Sequence, residues 1–114
     1  MKLMTLVHRT LRATKGTQMP ILQIEHPISD FDVWKRAFDA DPLRRQESGV
    51  RRYRVFRPLD DPKYVKVDLE FDSLSEAESF RAALRELWES GRAAPALAGT
   101  AQARIVEAVE SEEY

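Results

Sequence analysis

The chain has no cysteine, so disulfides, a thiolate nucleophile and cysteine-ligated metals are excluded, and the composition suits a reducing, cytoplasmic setting. Histidine is nearly as scarce. With only His8 and His26 in 114 residues, no histidine cluster can build a metal site. The four glycines stand isolated, which excludes a Gly-rich phosphate or dinucleotide loop, and no serine or threonine lies in a nucleophile elbow. Neither sign of charge dominates. Against 18 Lys and Arg there are 19 Asp and Glu, a net charge of -1, so nothing attracts nucleic acid or an anionic membrane in general. No apolar run approaches the roughly 18 residues of a membrane span.

What is present is a chain with 43% hydrophobic and 32% charged residues, long enough for one packed core and too short for two ordinary domains. Residues 1 to 18, MKLMTLVHRTLRATKGTQ, carry Lys2, Arg9, Arg12 and Lys15 and no acid, whereas the remainder is net acidic. This break marks either a transit-like or basic amphipathic arm, or an extension ahead of a domain that starts near Met19. Its apolar stretch is too short and too interrupted for a secretory signal. We expect one domain over 19 to 110 and a solvated acidic tail over 111 to 114.

PILQIEH, 20 to 26, sets Leu22, Ile24 and His26 against Ile21, Gln23 and Glu25, the period of a strand with one buried face. Pro27 stops it, and Ser29 or Asp30 can cap a helix striped by Phe31, Trp34, Ala37 and Phe38. Asp41 and Pro42 then predict a second short helical piece ending at Gly49. VRRYRVFRP, 50 to 58, and KYVKVDLEF, 63 to 71, flank LDDP and form a hairpin. Its best register puts Val55 opposite Val67, Tyr53 opposite Leu69, Arg54 opposite Asp68 and Arg52 opposite Glu70, matching apolar with apolar and cation with anion. The strongest helix spans 73 to 91. Leu74, Ala77, Phe80, Leu84, Leu87 and Trp88 form its stripe, Ser73 and Glu76 its capping box, and Gly91 its end. AQARIVEAV, 101 to 109, is a fourth strand.

The order βαββαβ defines an α+β, ferredoxin-like domain: a four-stranded antiparallel sheet with both helices on one face. The other face carries Gln23, Glu25, Arg52, Arg54, Phe56, Lys66, Asp68 and Glu70. Such a mixed ionic face can meet water, a ligand or its own copy.

The stretch ESGVRRYRVFRPLDDPKYVKVDLEFDS and the later PALAGT, within a span from Met19 to about Val109, resemble the dimeric α+β barrel superfamily. The resemblance is to antibiotic-biosynthesis monooxygenase-like proteins, and most closely to small actinobacterial-type members. It implies a homodimer with the two sheets face to face, Arg52, Arg54, Asp68 and Glu70 at or near the interface, and a substrate cavity between sheet and helices. It implies no cofactor. Activity is less constrained, because this fold hosts monooxygenases, isomerases and haem-degrading enzymes. Haem-degrading relatives are expected to ligate haem through a histidine on the second helix, and SLSEAESFRAALRELW contains none.

His26 is the candidate base, since histidine alone has an unperturbed pKa near neutrality. By strand parity it faces the helices, where it can take a proton from an acidic phenol or enol and leave a carbanion that reacts with oxygen. The structural alternative is a hydrogen-bonded histidine closing a strand. Trp34 and Trp88 can wall an aromatic pocket or simply fill the core. Tyr53 and Arg57 can orient a substrate, or pack and meet solvent at a strand end. The run RRYRVFRP interleaves basic and aromatic residues as RNA-binding sheets do, but Glu25, Asp68 and Glu70 on the same sheet repel phosphates. Two functions follow: a cofactor-independent, monooxygenase-like enzyme for an aromatic or polyketide-like molecule, or a non-catalytic ligand-sensing or structural dimer module. A cavity of roughly 300 Å³ reaching His26 would support ligand binding.

Overall fold

In the computed structural model, which describes residues 19–93 and 96–114, the elements are β1 (Ile21–Pro27), α1 (Phe31–Ala40), β2 (Val50–Phe56), β3 (Tyr64–Phe71), α2 (Leu74–Glu89) and β4 (Gln102–Val106). The expectations for residues 1–18 fall outside the described residues. The strands form one antiparallel sheet in the order β2-β3-β1-β4, so the central pair carries the buried centre and β2 and β4 are edges. The α+β, ferredoxin-like architecture is as the hydrophobic periods require.

Alternation along β1 buries Leu22, Ile24 and His26 and turns Gln23 outward. Along β3 it buries Val65, Val67, Leu69 and Phe71. The hairpin register is the expected one, with Tyr53 opposite Leu69, Arg54 opposite Asp68 and Val55 opposite Val67. One irregularity lies beyond what period-two reasoning supplies. Between Val50 and Arg52 the pairing shifts by a residue, so Arg51 is the extra residue of a bulge. The bulge lets Val50, which strict alternation would put beside Arg52 on the outer face, turn inward to 6% exposure. The displaced Arg51 reaches Asp72 at 2.8 Å.

The helix starts follow from their caps. Asp30, rather than Ser29, caps α1 by accepting from the backbone N–H of Val33. Ser73 caps α2 through the N–H of Glu76, and its hydroxyl donates to the Glu76 carboxylate, so each partner fixes the other. Gly91 follows α2 with φ 81°. The predicted helical piece from Asp41 to Gly49 is absent. Asp41 instead ends α1 in the left-handed region at φ 54°, and Arg44 repeats that conformation at φ 53°. Two left-handed residues and Gly49 leave too short a run to nucleate a helix, and turns carry the chain to β2. The fourth strand stops at Val106, short of the predicted 109, because Val106 already faces Ile21, the first residue of β1. Beyond it Glu107 to Tyr114 are exposed and carry no regular structure.

Candidate functional site: a cavity around His26

The helices do not close completely on the sheet. Between the layers lies a cavity of about 300 Å³. Ile24, His26, Val67 and Leu69 form its floor on the sheet, Trp34 and Phe38 of α1 one wall, and Phe80, Leu84 and Trp88 of α2 the other. Ala37, expected on the buried stripe, is exposed and borders this space. The lining is apolar apart from His26, Asp41, Arg45 and Arg92, the composition of a small-molecule site with a few orienting groups.

His26 is 3% exposed. Its ring lies between the two indoles, 6.5 Å from Trp34 and 6.4 Å from Trp88 between centroids. Nδ1 is 2.9 Å from the carbonyl oxygen of Pro27. A carbonyl can only accept, so the neutral ring carries its proton on Nδ1 and keeps a lone pair on Nε2. Burial pushes the imidazole pKa below its ordinary value, and the bond to Pro27 only partly opposes this. The histidine is thus held neutral in one tautomer, the state of a proton acceptor.

The same carbonyl of Pro27 accepts the N–H of Ala98 at 3.2 Å, and Gly99 approaches the proline ring so closely that a Cβ there would lie 3.1 Å from Cγ. The ALAG segment of the α2–β4 loop is therefore fastened to the histidine corner. Nothing in the local sequence around His26 announces this, because the two segments are joined only by the fold.

Of the predicted site residues, the structure brings together His26, Trp34 and Trp88. Tyr53 and Arg57 do not line the cavity. Tyr53 is 45% exposed and meets Phe38 edge-on at 5.1 Å from outside. The Arg57 guanidinium lies 4.5 Å over Phe31, beside a separate surface recess with Asp30 and Lys63. Both touch the aromatic row of α1, in which Phe31 and Trp34 are 5.7 Å apart and Trp34 and Phe38 stack at 5.0 Å. Sequence reading missed the three charged lining residues, Asp41, Arg45 and Arg92, of which Arg45 is the one held against the aromatic row. Its guanidinium lies 3.8 Å over Phe38, and its Nη1 donates to the Phe38 carbonyl at 2.8 Å and pairs with Asp41 at 3.4 Å. The expected helix after Asp41 would have carried it elsewhere; the left-handed turn folds it back onto α1.

On the outer face Arg52 donates through two nitrogens to Glu70, at 2.6 and 3.0 Å. The Tyr64 hydroxyl donates to Glu25 at 2.9 Å, and that carboxylate raises the phenol pKa. Arg54 lies 5.0 Å over Phe56, which is 37% exposed. Among the described residues no group of three or more His, Cys, Asp or Glu could hold a metal ion, and no helix is long and apolar enough to cross a membrane.

This architecture is a ferredoxin-like α+β fold. Among solved structures, the chain is similar to a Nitrosomonas europaea protein named for antibiotic biosynthesis monooxygenases, with TM-score 0.57 and 14% identity over 82% of this chain and 93% of that one. It is similar as well to a dimeric ferredoxin-like protein from an uncultured marine organism, with TM-score 0.58 and 9% identity over 85% of this chain and 100% of that one. A Shewanella oneidensis protein matches with TM-score 0.54 and 18% identity, over 80% and 92% of the respective chains. At these identities the likeness is one of fold. No protein-family model matches the chain, and no curated relative is similar to it in sequence.

Proposed function

We propose that this protein is a cytoplasmic homodimer that binds a small aromatic or polyketide-like molecule between sheet and helices, with His26 as the base of a cofactor-independent, monooxygenase-like reaction. The observation that carries the reading is the cavity of about 300 Å³ whose apolar walls converge on a buried, neutral histidine. A purely structural module would fill that space with side chains. Trp34 and Trp88 are the faces against which a planar ligand stacks. Tyr53 and Arg57 serve from behind, Tyr53 bracing Phe38 and Arg57 bracing Phe31.

In the reaction, Nε2 of His26 takes a proton from an acidic phenol or enol, and the resulting carbanion gives electrons to molecular oxygen, which is a co-substrate. Water exclusion around the ring keeps the imidazole neutral and ready to accept. Dimerisation through the outer sheet face is supported by its exposed Phe56 and its ordered Arg52–Glu70 pair, and by the likeness to a protein named as dimeric.

The test is a mass spectrum of ligands that co-purify with the protein, followed by turnover of the identified compound. His26→Ala should abolish turnover by two or more orders of magnitude while leaving the dimer intact. Unchanged turnover would dispose of the base. A ligand sensor, by contrast, would keep its ligand and show no turnover in either form.

A further inference from the structure

We infer that the ligand of this cavity is an aromatic anion, an aryl carboxylate or its like, whose negative group is held by Arg45 at the far end of the aromatic wall from His26. The inference rests on the proposed ligand-binding role of the cavity and narrows its substrate class. Four residues in the lining are polar or charged, and they differ in kind. His26 is neutral, Asp41 is anionic, and Arg45 and Arg92 are cationic, so the charged groups sum to one positive charge. Arg92 stands exposed at the rim, where water screens it, so the cation that meets a ligand inside the apolar walls is Arg45, 15% exposed.

The geometry assigns the holding role to Arg45. Its side chain is 15% exposed, and it is clamped on the Phe38 ring at 3.8 Å. Its polar contacts to the Phe38 carbonyl and to Asp41 both use Nη1. A guanidinium has five N–H donors. The Nε and Nη2 edge, the one that grips a carboxylate with two parallel bonds, is engaged by neither contact. From Arg45 the wall runs through Phe38 and Trp34, stacked at 5.0 Å and 24°, to His26, 6.5 Å beyond Trp34. Arg45 and Trp34 cover the two faces of Phe38, so a multi-ring molecule running along the edges of this stack presents one end to a cation and the other to a base. Asp41 moderates the charge and holds the loop by accepting the Arg45 backbone N–H at 2.9 Å.

The test uses the full chain and two probes, 2-naphthoate and the uncharged 2-naphthamide, with intrinsic fluorescence as readout. Both tryptophans of the chain line the cavity, so either probe is reported directly. The wild-type protein should bind naphthoate at least about tenfold tighter than naphthamide, the size of one charge-assisted contact. Arg45→Gln should erase that preference by weakening naphthoate alone. Asp41→Asn retains an acceptor for the Arg45 N–H and tolerates the left-handed backbone, so it should fold and should enlarge the preference severalfold. Equal binding of the two probes by the wild-type protein, or a preference unchanged in both variants, overturns the assignment while leaving a neutral-ligand cavity standing. Binding of neither probe overturns the cavity reading itself.

Discussion

The imidazole of His26 donates from Nδ1 to the carbonyl oxygen of Pro27, 2.9 Å away, so a residue and its immediate neighbour fix which nitrogen is left to do chemistry. Burial adds the second constraint by disfavouring the charged ring. The unfolded chain therefore takes up a proton near the ordinary histidine value of about 6.5, while the folded chain resists until a lower pH. Between those two values the unfolded state holds more protons, so stability falls as pH drops through that window and is fully present above it. Denaturant titrations of the wild-type protein should show this slope, and His26→Gln should lack it. The His26 ring resonance should titrate below 6.5 in an NMR series, and the acid limb of kcat/KM for the ligand should follow it. A His26 that titrates at or above the ordinary value would contradict the account.

Gly49 and the α2 cap form a second point of leverage. Gly49 is buried with φ 108°, and a Cβ there would stand 2.9 Å from the carboxylate of Glu76. Gly49→Ala should cost about 1–3 kcal/mol in urea unfolding, from the left-handed backbone and the displaced glutamate. Ser73→Ala should cost about 1 kcal/mol through the lost cap. Because Glu76 is common to both, the double variant should lose less than the two single losses together. Strict additivity would show the two sites to be independent.

The outer sheet face makes a prediction about assembly. Phe56→Asp puts a fourth carboxylate among Glu25, Asp68 and Glu70 on the face that the proposed dimer buries, without touching the core under the helices. Light scattering should give twice the chain mass for the wild-type protein and a shift toward the chain mass for this variant. A wild-type protomer that stays single at micromolar concentration would refute the interface.

Much of this protein is legible in its sequence. Leu22, Ile24 and His26 share a face because strand side chains alternate, and the Arg52–Glu70 and Tyr53–Leu69 pairs follow from a hairpin register that matches both apolar and charged partners. Trp34 and Trp88 fall on the inner stripes of their helices for the same periodic reason. The misreadings cluster where backbone angles depart from those periods. Asp41 looks like the cap of a new helix, yet it terminates the old one, because in the left-handed conformation its N–H donates back to the Phe38 carbonyl of α1. That single reversal hid Arg45 from the list of site residues.

The sequence by itself determined the layers, since the spacing of apolar residues decides which side of each strand and helix can leave water. It determined the absence of disulfides and cysteine-ligated metals as well, since the chain carries no sulfhydryl. Only the tertiary structure decided that the inner layers meet in part, as at Phe71 and Phe80, and leave a space around His26. It alone decided that the Ala98 loop returns to Pro27, that Arg45 folds over Phe38, and that Tyr53 and Arg57 stand outside the wall. Whether side chains meet or leave a gap depends on distances between elements far apart along the chain, and no local period encodes those distances.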